Sequence, residues 1–142
     1  MINYLLQLLI IMSIFQSIIS TNYNFYTLSI QKWCTSEYQI HGLWPQYTAD
    51  TYPSYCSNIE YQEPDEKLKY KMDKYWTSCN NSDLWEHEWL KHGTCTNNTE
   101  SYYFNQTIEL FLDNLNLINN CYQDDCKLAC FDLNYKLINC PL

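Results

Sequence analysis

The sequence predicts an α+β domain, an antiparallel sheet packed against helices and stapled by disulfides. Three observations predict it. Polarity alternates residue by residue between Asn24 and Trp33. Apolar residues then recur at helical spacing in three later stretches. The chain closes on two short apolar runs bounded by cysteines. Strand-like and helix-like patterns are segregated along the chain, which favours α+β over an alternating α/β sheet.

In the first stretch Tyr26, Leu28 and Ile30 fall on one face and Thr27, Ser29 and Gln31 on the other, so a half-buried strand is expected. Tyr38 to Leu43 reads as a second strand that ends at Trp44, held extended by the following Pro45. Pro64 suits the first turn of a helix, with Asp65 and Glu66 at its electropositive end. Leu68, Met72, Tyr75 and Trp76 form its core-facing stripe. Asp83 and Glu86 have the spacing of a capping box, which opens a helix reaching about His92 with Gly93 as its stop. A third helix from about Ser101 to Asn116 buries Phe104, Ile108, Phe111, Leu112 and Leu115. Lys127 to Leu133 and Tyr135 to Cys140 read as a hairpin tied by cysteines.

The chain has 142 residues, enough for one domain. Met1 to Ser20 carries no charged side chain and is almost continuously apolar from Leu5 to Ile19. It reads as a secretory signal peptide, with residues 21–142 as the domain. The alternative, an uncleaved membrane anchor, is disfavoured by Asn3, Gln7 and Gln16. Eight cysteines in so small a chain point to an oxidising compartment. Structural zinc would need paired Cys-x-x-Cys ligands, and the closest cysteines, Cys121, Cys126 and Cys130, are spaced five and four apart. Glycosylation sequons at Asn80, Asn97 and Asn105 fit a secreted protein. The expected location is extracellular or a lysosome-like vacuolar lumen, as a monomer with no stable membrane association once the leader is removed.

The formal net charge is −8 and arginine is absent. That excludes a broad basic surface for holding a polyanion, so any nucleic acid must be engaged at a local site. The three histidines all fall in two aromatic-rich segments, Ile40 to Pro45 and Trp85 to Cys95. Histidine titrates nearest neutral pH and is the default group for moving protons. On a helix, Glu88 and His92 are four apart, as are His87 and Lys91, so one turn offers a carboxylate, an ammonium and two imidazoles. Trp85 and Trp89, also four apart, are expected to anchor that helix in the core.

His87-Glu88 begins like the His-Glu-x-x-His zinc-peptidase motif, but the position four residues on is Lys91 and the second histidine is one step out of phase. No metal ion and no cofactor is therefore expected. The set fits metal-free RNA cleavage better. That reaction needs a base for the ribose 2′-hydroxyl, an acid for the departing 5′-oxygen and donors for the phosphorane-like transition state. Trp44, Tyr47 and Tyr52 are placed to stack bases of single-stranded RNA. A secreted recognition protein on the same scaffold is the competing reading, although a binder has no chemical need for this set of side chains.

His41-Gly42-Leu43-Trp44-Pro45 and His87-Glu88-Trp89-Leu90-Lys91-His92-Gly93-Thr94-Cys95 are both complete here and in order. They resemble the two signature segments of the ribonuclease T2 family. Tyr52 to Cys56, Met72 to Trp76 and the closing Cys130…Cys140-Pro141 are similar to it as well, so the resemblance runs from about Phe25 to the end. It implies an acid-favouring, metal-independent endoribonuclease (lyase and hydrolase) that passes through a 2′,3′-cyclic phosphate. It further implies His41 and His92 as the acid–base pair, His87 as a phosphate ligand, Glu88 and Lys91 as transition-state stabilisers, and Trp44 as a base contact. Gln46 stands where some relatives carry an acidic base contact. The domain is shorter than the family pattern between Leu117 and the closing cysteines. The resemblance implies the pairs Cys56–Cys95 and Cys130–Cys140, and the pairing of Cys34, Cys79, Cys121 and Cys126 stays open.

Overall fold

The computed structural model describes residues 22–32, 34–79, 83–119 and 128–141. The expected signal peptide, Asn80, Cys121 and Cys126 lie outside them. Within them the elements run β1 (Phe25–Gln31), β2 (Gln39–Gln46), α1 (Glu66–Tyr75), α2 (Leu84–Lys91), a 3-10 turn (Gly93–Cys95), α3 (Glu100–Asp113), α4 (Leu115–Asn119), β3 (Leu128–Phe131) and β4 (Leu137–Ile138). The strands form one sheet in the order β2-β1-β3-β4, antiparallel throughout. The α+β expectation is met.

β1 is central and buried along its whole length, whereas the alternation predicts one wet face. Tyr26, Leu28 and Ile30 join the apolar core, as expected. The polar side is buried too, and Thr27 lies against the sulfur of Cys130 on the neighbouring strand. Alternating polarity usually marks an antiparallel strand with one solvated face, and here it does not.

β2 runs past the expected end at Trp44, through Pro45 to Gln46. Pro45 is tolerated because β2 is an edge strand. Its pairing with β1 slips once: Ile30 faces Ile40 while Ser29 faces Gly42, so His41 is an extra, bulged residue. A bulge bends the strand and re-aims its side chain. The carbonyl of His41 is taken by the Trp76 indole N–H at 2.8 Å, and the carbonyl of Trp76 by the Trp85 indole N–H at 2.7 Å.

In α1 the N-cap is Asp65, whose carboxylate accepts from the Leu68 amide at 2.8 Å. Pro64 therefore precedes the cap instead of filling the first turn. Leu68, Met72 and Trp76 are buried as the stripe predicts. The capping box at Asp83 does not form. Asp83 sits at ψ 6°, outside the extended conformation that brings a cap side chain over the helix end, and makes no side-chain cap bond. Gly93 does not end α2 in a left-handed conformation, since the described glycines have no positive φ. Its small size matters for another reason: a Cβ there would collide with the ring of Trp89.

The third helix starts at Glu100, capped by Thr99, and breaks at Asn114 into α3 and α4. α3 packs over β1 and β2 and against α1, and the Tyr103 hydroxyl donates to the Leu43 carbonyl at 3.0 Å. The closing hairpin turns at Asp132, whose carboxylate accepts from the amides of Asn134 and Lys136. Disulfides join Cys130 to Cys140 and Cys56 to Cys95, as the resemblance implies. A third bond joins Cys34 to Cys79 and resolves part of the open pairing. A bond closing a loop as long as Cys56–Cys95 stabilises by about 4 kcal/mol on the chain-entropy model. Of the sequons, Asn97 is exposed. Asn105 is half-buried on α3, donating to the Ser101 carbonyl and accepting from Lys71.

Trp76→Phe should cost about 3 kcal/mol, because it leaves a cavity and orphans the His41 carbonyl. Urea denaturation followed by circular dichroism reads this directly.

Candidate active site

The site forms where β2 meets α2. In a regular strand His41 and Trp44, three apart, would point to opposite faces. The bulge at His41 shifts the phase, and both reach the same cleft. Gly42 lies between them against α2. A Cβ on Gly42 would meet the Glu88 carboxylate and the Trp44 indole nitrogen, so the close approach of strand and helix requires glycine.

α2 supplies the rest. Trp89 and Leu84 face the core and orient the helix. That places His87, Glu88, Lys91 and His92 along a cleft of about 270 Å³ that they share with His41, Trp44 and Tyr52. Two larger surface grooves, one beside Tyr55, Ile59 and Tyr61 and one beside Leu117 and the closing hairpin, contain no histidine. His92 is the C-cap of α2, its amide bonded to the Glu88 carbonyl, and a tight 3-10 turn follows at once.

Within the cleft the Trp44 indole N–H donates to Glu88 Oε2 at 2.7 Å. The other carboxyl oxygen, Oε1, lies 3.5 Å from His41 Nε2. The Trp44 ring packs against both His41 and His92. Its centroid is 5.3 Å from His41, edge-on, and 5.3 Å from His92, nearly parallel. Tyr52 closes the far side, 5.5 Å from the His92 ring, with Lys91 Nζ 5.6 Å from its own ring centre.

Tyr52 belongs to a long loop that would drift without ties. The Tyr55 amide donates to the Lys91 carbonyl at 3.0 Å, the Cys56 amide donates to Thr94 Oγ1 at 3.2 Å, and Cys56–Cys95 bonds the loop covalently to the turn after α2. Tyr55 takes a positive φ of 51° to make this turn.

Burial dominates the electrostatics. Glu88 is 1% exposed, and loss of water raises its carboxyl from 4.5 to about 7, against opposing pulls from the Trp44 N–H and from Lys91. His92 is 3% exposed, and burial, then Lys91, His87 and His41, lower it to about 3. Burial, then His87 and Lys91, lower His41 as well. Near neutral pH the free cleft therefore holds two uncharged imidazoles beside a carboxyl group that shares its proton with solvent. The His41–Glu88 approach is a polar contact between largely neutral groups more than an ion pair. His92 Nδ1 is buried and has no hydrogen-bond partner among the described residues.

The structure thus brings together His41, His87, Glu88, Lys91, His92, Trp44 and Tyr52. It does not bring in Gln46, which is buried at the end of β2 with its amide within reach of the Thr48 and Thr51 carbonyls. Tyr47 is exposed and does not line the cleft either. Sequence reasoning missed Tyr55, Thr94 and Trp76 as supports. It also missed the Trp44–Glu88 bond, whose partners are 44 residues apart.

Two outcomes follow from this geometry. Gly42→Ala should displace Glu88 and Trp44 while leaving the sheet paired, which a change in near-ultraviolet circular dichroism with unchanged far-ultraviolet signal would register. The second outcome concerns stability against pH. Between pH 4.5 and about 7 the folded chain keeps a Glu88 proton that the unfolded chain releases, so that contribution is lost as pH rises through this window. His92 acts oppositely: the unfolded chain binds its proton below 6.5 and the folded chain only near 3, so stability is lost as pH falls. Glu88→Gln should remove the first slope and keep the second, measurable by denaturant titration from pH 4 to 8.

Comparison with known proteins agrees with this construction. The model of the "Ribonuclease T2 family" matches residues 12–127. "Intracellular ribonuclease LX" of Solanum lycopersicum is 37% identical over 92 residues, 59% of this chain and 38% of its own length. "Ribonuclease DdI" of Dictyostelium discoideum is 32% identical over 120 residues, 68% of this chain and 53% of its own. The chain thus spans about half, or less, of these curated relatives. Among solved structures, RNase NT in complex with 5′-AMP has the same fold, with a TM-score of 0.67 at 22% identity over 84% of this chain and 91% of that one. By the extent of the family match, the chain belongs to the ribonuclease T2 family.

Proposed function

We propose that this protein is an endoribonuclease that cleaves single-stranded RNA by metal-independent transesterification through a 2′,3′-cyclic phosphate. The observation that carries the reading is the convergence of a histidine from the β2 bulge with Glu88, Lys91 and two further histidines from α2 on one cleft. Family membership supports the same reaction class.

His92, uncharged and buried, suits the base that removes the 2′-hydroxyl proton. His41 suits the acid. It is less buried, so at mildly acidic pH it can take its proton from solvent and pass it to the departing 5′-oxygen, while Glu88 keeps its own. A bound phosphodiester places negative charge among these groups, offsets the repulsion from Lys91, and raises both imidazoles toward the working range. Lys91 and His87 meet the equatorial oxygens of the phosphorane, and the neutral Glu88 carboxyl donates a hydrogen bond where an ionised one would repel. Trp44 and the exposed Tyr52 offer rings to a base. Gln46 enters this reading only indirectly, as a support of the turn that follows β2.

We also propose a monomer routed to the extracellular space or a lysosome-like lumen. Three disulfides among the described residues and the apolar leader support this. Asn97, exposed, is the better placed of the two described sequons to carry a glycan.

Single-stranded RNA digested at pH 4 to 8 with EDTA present should yield oligonucleotides ending in 2′,3′-cyclic phosphate, identified by mass spectrometry. His41→Ala and His92→Ala should each lower kcat by about a thousandfold or more. Lys91→Ala should lower kcat more than it raises KM. Oxidised wild-type protein that stays inert across the whole range would refute the reading.

A further inference from the structure

We propose that Trp44 is a positioning residue for Glu88 in addition to presenting a ring to a base: its indole N–H fixes one carboxyl oxygen, so that the other is presented to His41 and the scissile phosphate. The inference rests on the ribonuclease reading and deepens it.

Four observations carry it. The N–H···Oε2 bond is short, at 2.7 Å, and its acceptor is almost wholly out of water. Oε1 is the oxygen that faces His41. The indole is packed against both the His41 and the His92 rings, 5.3 Å from each. Gly42 leaves the space in which indole and carboxyl meet, and any side chain there would force them apart. Trp44 therefore holds three reacting groups in register from a position with no acid–base chemistry of its own.

The consequence is electrostatic as well as geometric. Charge-assisted donation favours the ionised carboxylate, so the Trp44 bond opposes the effect of burial on Glu88. The other groups that face this carboxyl are His41 on β2, Lys91 on α2 and the Tyr103 hydroxyl on α3, while His87 and His92 share the cleft. None of them would change in a variant that removes only the indole N–H.

Trp44→Phe keeps an aromatic ring and removes the donor, and replacement of Trp44 by benzothienylalanine keeps the ring size as well. Glu88 in the full chain is followed by carbon NMR of the labelled carboxyl, alongside kcat and KM against pH on a short RNA. The carboxyl titration should move upward by about one pH unit, and the alkaline limb of kcat should move with it. kcat on the acid side of that limb, where Glu88 is protonated in both proteins, should fall about tenfold with KM changed less than twofold. An unmoved Glu88 titration, or a rise in KM alone, overturns the proposal and leaves Trp44 a stacking platform. If the wild type cleaves no RNA, the ribonuclease reading fails, while the carboxyl titration still decides whether Trp44 governs Glu88. The benzothienyl variant settles the matter if the phenylalanine variant does not fold.

Discussion

A carboxyl group almost completely removed from water joins the sheet to the second helix. Burying such a group is costly unless donors meet it or it keeps its proton. Glu88 meets both conditions: the Trp44 indole donates to it, and desolvation holds its proton to about pH 7. The contact sets the spacing of β2 and α2, dictates glycine at position 42, and aligns one face of α2 with one face of β2. Loosening it would give His41 and His92 no fixed relation.

Around that contact the structure spends aromatic side chains as spacers and supports. Trp76 and Trp85 hand hydrogen bonds from α2 back to the His41 carbonyl. Trp44 packs against two imidazoles, and Tyr103 ties α3 to β2. A large aromatic ring with one polar atom can fill core volume and still satisfy a buried carbonyl. That explains how a small domain with few glycines and one compact core supports a polar cleft.

Much of this was legible in the sequence, for identifiable reasons. The stripe Leu68, Met72 and Trp76 has a local period, and so do Trp85 and Trp89, so a window of one helix reveals the buried face. The histidine segments stood out because titratable side chains of that type occur nowhere else. The two signature segments carried the family, and with it two of the disulfides. What could not be read depends on partners distant in the chain. The His41 bulge is a mismatch between β1 and β2, not a property of either. The wet face expected for β1 is absent because the strand is buried on both faces, which its own alternation of polar and apolar residues does not encode. Asp83 carries the letters of a cap, but its backbone lies outside the extended conformation that a cap requires. Gln46 has the right sequence distance from Trp44 to touch a base, yet the turn at residues 47–51 draws its amide inward.

The extra residue in β2 has a consequence for how such a site can arise or be lost. Substitutions at constant length change what a strand displays but not which side displays it. Deleting the one residue between Ile40 and Gly42, His41 itself, would restore an even ladder with β1 and leave the strand no extra residue to turn toward the cleft, whatever the neighbouring residues were. Chain length across those three positions is therefore as much a determinant of the chemistry as the identity of any of them.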